Sequence, residues 1–169
     1  MVIFDTSTAI NPVTDPLGRS GGYRNTRGGI ARGIELSSSV AATPSLQLTA
    51  GYTYTDARQA TPLVVGIWRT YETPIHQYSA SLTQRLTPRL TVYVAYVGSS
   101  SYLASISGRA FRFEGLNRAQ LDINYRRPLS ELRAVRFYAK MDNLINQTYF
   151  ENGFRTPGFT VIGGWQFEF

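Results

Sequence analysis

The sequence predicts an all-β protein, an antiparallel transmembrane β-barrel meander of about eight strands. Three observations predict it. Stretches of strict two-residue alternation recur along the chain. The connections between them alternate short and long. Aromatic residues collect at both ends of the apolar faces. Strand side chains point alternately to opposite faces, so one greasy and one polar face per strand is what a wall between lipid and water requires.

Val2 to Ile10 reads as a short strand, and Asn11 to Gly22, rich in Gly, Pro, Asp, Asn and Ser, as a loop. Tyr23 to Val40 reads as one long strand, with Ile34, Leu36 and Val40 against Gly33, Glu35, Ser37 and Ser39. After a tight turn at Thr43-Pro44-Ser45, Leu46, Leu48, Ala50, Tyr52 and Tyr54 alternate with Gln47, Thr49, Gly51, Thr53 and Thr55. Asp56 to Pro74 is a long connection. Tyr78, Ala80 and Leu82 then oppose Gln77, Ser79, Ser81 and Thr83, and Thr87-Pro88-Arg89 turns the chain into Leu90, Val92, Val94 and Tyr96. A second long connection, Gly98 to Asn117, leads to Ala119, Leu121, Ile123 and Tyr125. Pro128 to Arg133 is a short turn before Val135, Phe137, Ala139 and Met141. Asn143 to Thr156 is a third long connection. In the closing strand Phe159, Val161, Trp165, Phe167 and Phe169 share one parity, and Thr160, Gly164, Gln166 and Glu168 the other.

Short periplasmic turns and long external loops distinguish the two ends of an outer-membrane barrel, so the C-terminus is expected on the periplasmic side. Tyr52, Tyr54, Tyr78, Tyr96 and Phe159 then fall near the outer rim, and Tyr125, Phe137, Trp165, Phe167 and Phe169 near the inner one, as two interfacial girdles. The opposite faces carry Glu35, Arg85, Asp122, Arg126, Arg136, Lys140, Asp142 and Glu168, costly in lipid but acceptable in a wet lumen. A soluble ligand-binding barrel would want the reverse arrangement.

Composition narrows the classes. Charged residues are only 17% against 43% hydrophobic, too few for an ordinary soluble surface or for disorder. The longest apolar run, Leu63 to Trp68, is far short of the roughly 20 residues a spanning helix needs. Cysteine is absent, which removes disulfides and cysteine–zinc sites. The net charge of +6 reads as an arginine-lined interior with basic loops, or as attraction for an anionic ligand or lipopolysaccharide phosphate. Its scatter over the whole chain gives no nucleic-acid patch. Met1-Val2-Ile3-Phe4-Asp5 has neither the basic start nor the apolar length of a signal peptide, so a removed leader or a longer parent chain is expected.

Several stretches resemble the late barrel of TonB-dependent outer-membrane receptors: Tyr23-Arg24-Asn25, Arg32-Gly33-Ile34-Glu35-Leu36, the run from Leu48 to Ala57, the run from Met141 to Glu151, and Pro157-Gly158 with the terminal Phe169. They occur in the family's order and cover roughly Tyr23 to the chain end. Phe159 departs from the arginine that often follows Pro-Gly there. The resemblance implies one segment, residues 1–169, forming the last eight strands of a larger, 22-stranded barrel whose plug domain and TonB box lie outside this sequence. It implies a receptor importing a scarce ligand such as a ferric siderophore, driven by TonB acting on that plug. The alternative is a complete eight-stranded outer-membrane protein acting as anchor, adhesin or small channel.

The chemistry points away from catalysis. His76 is the single histidine, with no Cys, Asp or Glu at ligand spacing, so it reads as a polar rim residue rather than a metal or haem ligand. No nucleophile with a base stands out, and no cofactor is expected. Gly28-Gly29 and Gly163-Gly164 lack the lysine and the strand–loop–helix context of a phosphate loop. The long connections mix aromatics and arginines: Trp68, Arg69, Tyr71, Tyr102, Arg109, Phe111, Arg112, Phe113, Tyr149, Phe150, Phe154 and Arg155. Of these, Trp68, Arg69, Tyr71, Arg109, Arg112, Tyr149 and Arg155 are the candidate ligand contacts, since stacking and charge together hold an anionic, partly aromatic molecule; the equal alternative is that the aromatics pack on each other and the arginines bind lipid phosphate. By the same resemblance, Phe169 is an assembly signal read by the barrel assembly machinery. The expected surroundings are outer-membrane lipid and lipopolysaccharide.

Overall fold

The computed structural model describes residues 2–5, 22–25, 28–60, 64, 66–106, 109–151 and 154–169. Most of the expected loop from Asn11 to Gly22, the second half of the strand expected to reach Ile10, and part of the Leu63 to Trp68 run lie outside them. Thirteen strands and no helix form the described chain: β1 (Val2–Asp5), β2 (Gly22–Asn25), β3 (Ile30–Thr43), β4 (Leu46–Arg58), β5 (His76–Thr87), β6 (Leu90–Ser99), β7 (Tyr102–Ile106), β8 (Arg109–Phe113), β9 (Asn117–Pro128), β10 (Ala134–Asp142), β11 (Phe150–Glu151), β12 (Phe154–Arg155) and β13 (Thr160–Glu168). The antiparallel all-β architecture is as expected.

The main sheet has seven strands in the order β13-β10-β9-β6-β5-β4-β3, a meander interrupted only by small hairpins, and it does not close on itself. The expected eighth strand is absent from it, because β1 pairs with β2 in a separate ribbon. The single strand expected from Tyr23 to Val40 is correspondingly two, β2 and β3, with Gly28-Gly29 outside both. The 98–117 connection is not irregular but folds into the β7–β8 hairpin, and the 143–156 connection contains the short β11–β12 pair. Asp56 also belongs to β4, not to the following connection.

Register carries the alternation across the sheet. In one row Val40, Leu48, Leu82, Val94, Leu121, Met141 and Val161 lie opposite one another, strand after strand. The next row towards the long connections is Ser38, Ala50, Ala80, Tyr96 and Ala119; then Leu36, Tyr52, Tyr78 and Gly98; then Ile34, Tyr54 and His76. Towards the tight turns, Tyr125, Phe137 and Trp165 align. A slip of one residue on any strand would throw its whole apolar set onto the polar side, so this agreement fixes the register.

Nothing in the described protein covers the apolar face. Leu36, Ile34 and Trp165 are 60%, 59% and 63% exposed, and among the described residues no large side chain is fully buried. The buried apolar residues are Ala57, Ala104 and Ala134. A soluble domain of this length buries a core and rarely leaves so large a contiguous apolar patch. Two glycines are filled from the neighbouring strand: the Tyr78 ring lies against Gly98 on the apolar face, and the Tyr138 ring against Gly164 on the polar face. A Cβ at either position would collide with the ring.

Candidate binding site at the loop end of the wall

The tight turns Pro44-Ser45 and Pro88-Arg89 mark one end of the sheet, and all the longer connections rise from the other. Those connections are tied down. Ser100 Oγ accepts the amides of Ile75 and His76 at 3.0 and 3.1 Å, and Ser100 N–H donates to the His76 carbonyl at 2.9 Å. Glu72 N–H donates to the Leu103 carbonyl at 2.6 Å, pinning the 59–75 connection to the β7–β8 hairpin. Tyr102 and Phe113 stack across that hairpin with ring centroids 5.7 Å apart.

The tightest knot is at 142–147. Asn143 is only 3% exposed and sits at φ 51°, a left-handed conformation that Asn tolerates better than most residues. Its side-chain amide donates to the carbonyls of Gln147 and Pro157 at 2.9 and 3.2 Å, while its Oδ1 accepts Gln147 N–H at 3.1 Å. Gln147 in turn accepts the Asn117 amide at 2.6 Å and donates to the Gly115 carbonyl at 3.0 Å. Asn146, also left-handed at φ 55°, accepts Phe159 N–H at 2.9 Å. The ends of β9, β10 and β13 are thus laced together by three amide side chains. Asp142 adds an ion pair with Arg118, whose Nη1 also donates to the Tyr149 hydroxyl at 3.4 Å.

On the polar face the charges stand in pairs. Besides Arg118–Asp142, Glu168 binds Arg126 at 2.6 Å and Arg136 at 2.7 Å. Lys140 stands opposite Asp122 in the register. A cavity of about 600 Å³ opens on this face, walled by Glu35, Ser37, Thr49, Thr53, Gln77 and Ser79, with Glu72, Pro74 and Leu116 of the connections at its rim. Hydroxyls, amides and carboxylates share its lining with Pro74, Val97 and Leu116.

The expected ligand contacts do not converge there. Trp68 and Arg69 come together with Tyr54, Asp56 and Arg58 round a depression of about 330 Å³. The pairing of Arg69 with Arg58 puts that group on the apolar side of the wall. Tyr71 lies in the same connection, its hydroxyl buried and without a partner among the described residues. Arg109 and Arg112 stand in β8, opposite Ile106 and Leu103, so the hairpin sends them to opposite faces. Tyr149 is held by Arg118, and Arg155 pairs with Phe150 in the short β11–β12 ribbon. His76 also lies on the apolar face: its Nδ1 is 2.8 Å from the Tyr52 hydroxyl and its ring packs at 5.6 Å from Tyr54. Among the described residues no cluster of three or more His, Cys, Asp or Glu is placed to hold a metal. Phe169 is 95% exposed and stacks on Phe167 at 6.3 Å.

Sequence reasoning missed the Arg32–Asp56–Arg58 group and the asparagine knot. The first had a signal, because Asp56 and Arg58 continue the parity of Leu46 to Tyr54 by one more turn of the pleat. The second had little, since an Asn-x-x-Asn-Gln run is equally a solvated loop.

No protein-family model matches the chain, and no curated protein matches it. Among solved structures it is similar to the ferric-catecholate import receptor Fiu of E. coli K12 in its closed form, with 20% identity and a TM-score of 0.63. The match covers 90% of this chain but only 22% of that receptor. The likeness is one of fold: this chain has the architecture of part of a receptor barrel wall.

Proposed function

We propose that the chain forms the C-terminal part of the barrel wall of a TonB-dependent outer-membrane receptor, which takes up a scarce ligand such as a ferric siderophore. The observation that carries this is the seven-stranded meander with one continuous uncovered apolar face and one charge-paired polar face. Such a sheet is stable only with lipid on one side and water on the other. The fold likeness to a ferric-catecholate importer and the sequence motifs up to Phe169 support the same reading. In it the chain works as wall and external loops rather than as an enzyme. TonB engages a plug outside this sequence, and Phe169 serves barrel assembly. The ligand meets the hydrated cavity by Glu35 and Gln77.

The complete eight-stranded barrel is the weaker reading, because β1 turns away from the sheet and β3 keeps a free edge among the described residues. The test is uptake. Cells lacking the gene that carries this chain should lose growth on ferric catecholate under iron limitation and regain it with the full reading frame. Residues 1–169 alone, targeted to the outer membrane, should give no energy-dependent uptake. Uptake by these residues alone would overturn the proposal.

A further inference from the structure

The polar face matches its charges almost everywhere. Arg118 has Asp142, Arg126 and Arg136 share Glu168, and Lys140 stands opposite Asp122. Glu35 and Arg85 lie on the same face and have no ion-pair partner among the described residues. They stand at opposite ends of it. Glu35 borders the cavity of about 600 Å³ under the long connections. From Gln77, in the row of Glu35, down β5 to Arg85 is about 27 Å. There Arg85 borders a second, smaller cavity of about 210 Å³, walled by Thr43, Ser45, Gln47, Thr83 and Thr91.

The chemistry of this smaller cavity suits an oxyanion. Thr91 is the cross-strand partner of Arg85, and Thr83 precedes it on the same face of β5. Cross-strand side chains start about 5 Å apart and same-strand neighbours on one face about 7 Å, so a guanidinium and two hydroxyls flank one space. The other polar wall groups already have partners. Thr43 Oγ1 accepts the Ser45 amide at 3.3 Å, Gln84 Nε2 donates to Ser45 Oγ at 3.2 Å, and Gln47 Nε2 donates to Ser39 Oγ at 3.4 Å. No carboxylate is among the lining residues. At this end of the polar face three guanidiniums, Arg85, Arg126 and Arg136, stand against the one carboxylate of Glu168, so the balance is positive.

We propose that Arg85, with Thr83 and Thr91, binds an Asp or Glu side chain of a polypeptide segment seated against the turn end of the polar face. Size and place both argue for a side chain rather than an imported molecule. A cavity of about 210 Å³ is below the roughly 300–1,000 Å³ of a small-molecule pocket. It also lies far down the strands from the connections that meet a ligand first. A guanidinium takes a carboxylate through two parallel N–H···O bonds, and the threonine hydroxyls add further donors. The inference rests on the barrel-wall reading, and it gives the plug invoked there a stated chemistry: where it meets β5 and β6 near the tight turns, it is acidic.

The experiment separates the two. The intact outer-membrane protein carrying this chain is purified in detergent with Ala41, which lines the same cavity, replaced by the photocrosslinker p-benzoylphenylalanine. Irradiation should join position 41 to a peptide outside residues 1–169 that carries Asp or Glu. Arg85→Gln should lower the yield about tenfold, the effect of losing one charged hydrogen bond. Arg85→Lys should keep most of the yield, and Arg89→Gln, the same charge change in the adjoining turn, should leave it unaltered. Replacing the captured acid by Lys should abolish capture, and adding Arg85→Glu should restore it. Inorganic phosphate at matched ionic strength should not compete. Equal yields from wild type and Arg85→Gln, or a captured peptide without an acid, overturn the contact. Full competition by inorganic phosphate assigns the cavity to a free oxyanion and overturns the peptide. A protein that stays in solution without detergent overturns the wall reading itself.

Discussion

The two halves of the sheet share an apolar face and differ in where they carry charge. From β3 to β6 the polar face is built of Ser37, Ser39, Thr49, Thr53, Ser79 and Ser81, with few charges and a cavity of about 600 Å³ against it. From β9 to β13 the same face carries Arg118, Asp122, Arg126, Arg136, Lys140, Asp142 and Glu168, most of them matched in sign across strands. On the apolar face charges stand only near strand ends: Arg32, Asp56 and Arg58 at the loop end of β3 and β4, and Arg127 at the turn end of β9. A wall strand therefore tolerates charge on either face provided its depth is right. On the wet face charges stand at any level, paired across strands, whereas on the greasy face they stand only at the rim.

The sharpest way to break that contrast is to move a charge to the wrong face at mid-depth. Val94→Arg should cost about 2–4 kcal/mol of folding stability in the membrane, while Ala95→Arg, one residue on and facing the polar side, should cost little. Urea unfolding of the outer-membrane protein in lipid vesicles reads both, and equal costs would dissolve the distinction between the faces. Next in size is the asparagine knot. Asn143→Ala removes the buried amide that bridges Gln147 and Pro157 and places a Cβ-only residue at positive φ, for a loss of about 2–3 kcal/mol. Hydrogen exchange at Gln147 and Phe159 should rise with it; protection that persists would show that the loop is held elsewhere.

Smaller is the loss at the aromatic–glycine contact. Tyr78→Ala uncovers Gly98 and deletes both the stacking on Tyr96 and the hydroxyl bond to Asn117, for about 1–2 kcal/mol in the same unfolding assay. A neutral result would mean that lipid fills the gap. Smallest is the ion pair. Arg118→Met should cost under about 1 kcal/mol, since both partners stay partly solvated, and the difference from wild type should shrink further in high salt. A salt-insensitive loss would assign the effect to the Tyr149 contact.

What the sequence determined by itself was parity. Leu48, Ala50, Tyr52 and Tyr54 against Thr49, Gly51 and Thr53 state which face each residue takes, because side-chain direction in a strand is a local property of the backbone. The tight turns at Pro44-Ser45 and Pro88-Arg89 were equally local. What only the tertiary structure decided was which strands joined the sheet and what the connections did. Val2–Asp5 is as apolar as many sheet strands, yet it pairs with Gly22–Asn25 instead of joining the main sheet, because strand membership depends on the competing partners available. The 98–117 connection holds a five-residue hairpin arm that composition hides. Asn143 became buried only when β9, β10 and β13 came side by side, and the place of Arg58 at the loop end of the apolar face follows from strand length and register together. Alternation is written residue by residue; pairing, depth and burial are written only between strands.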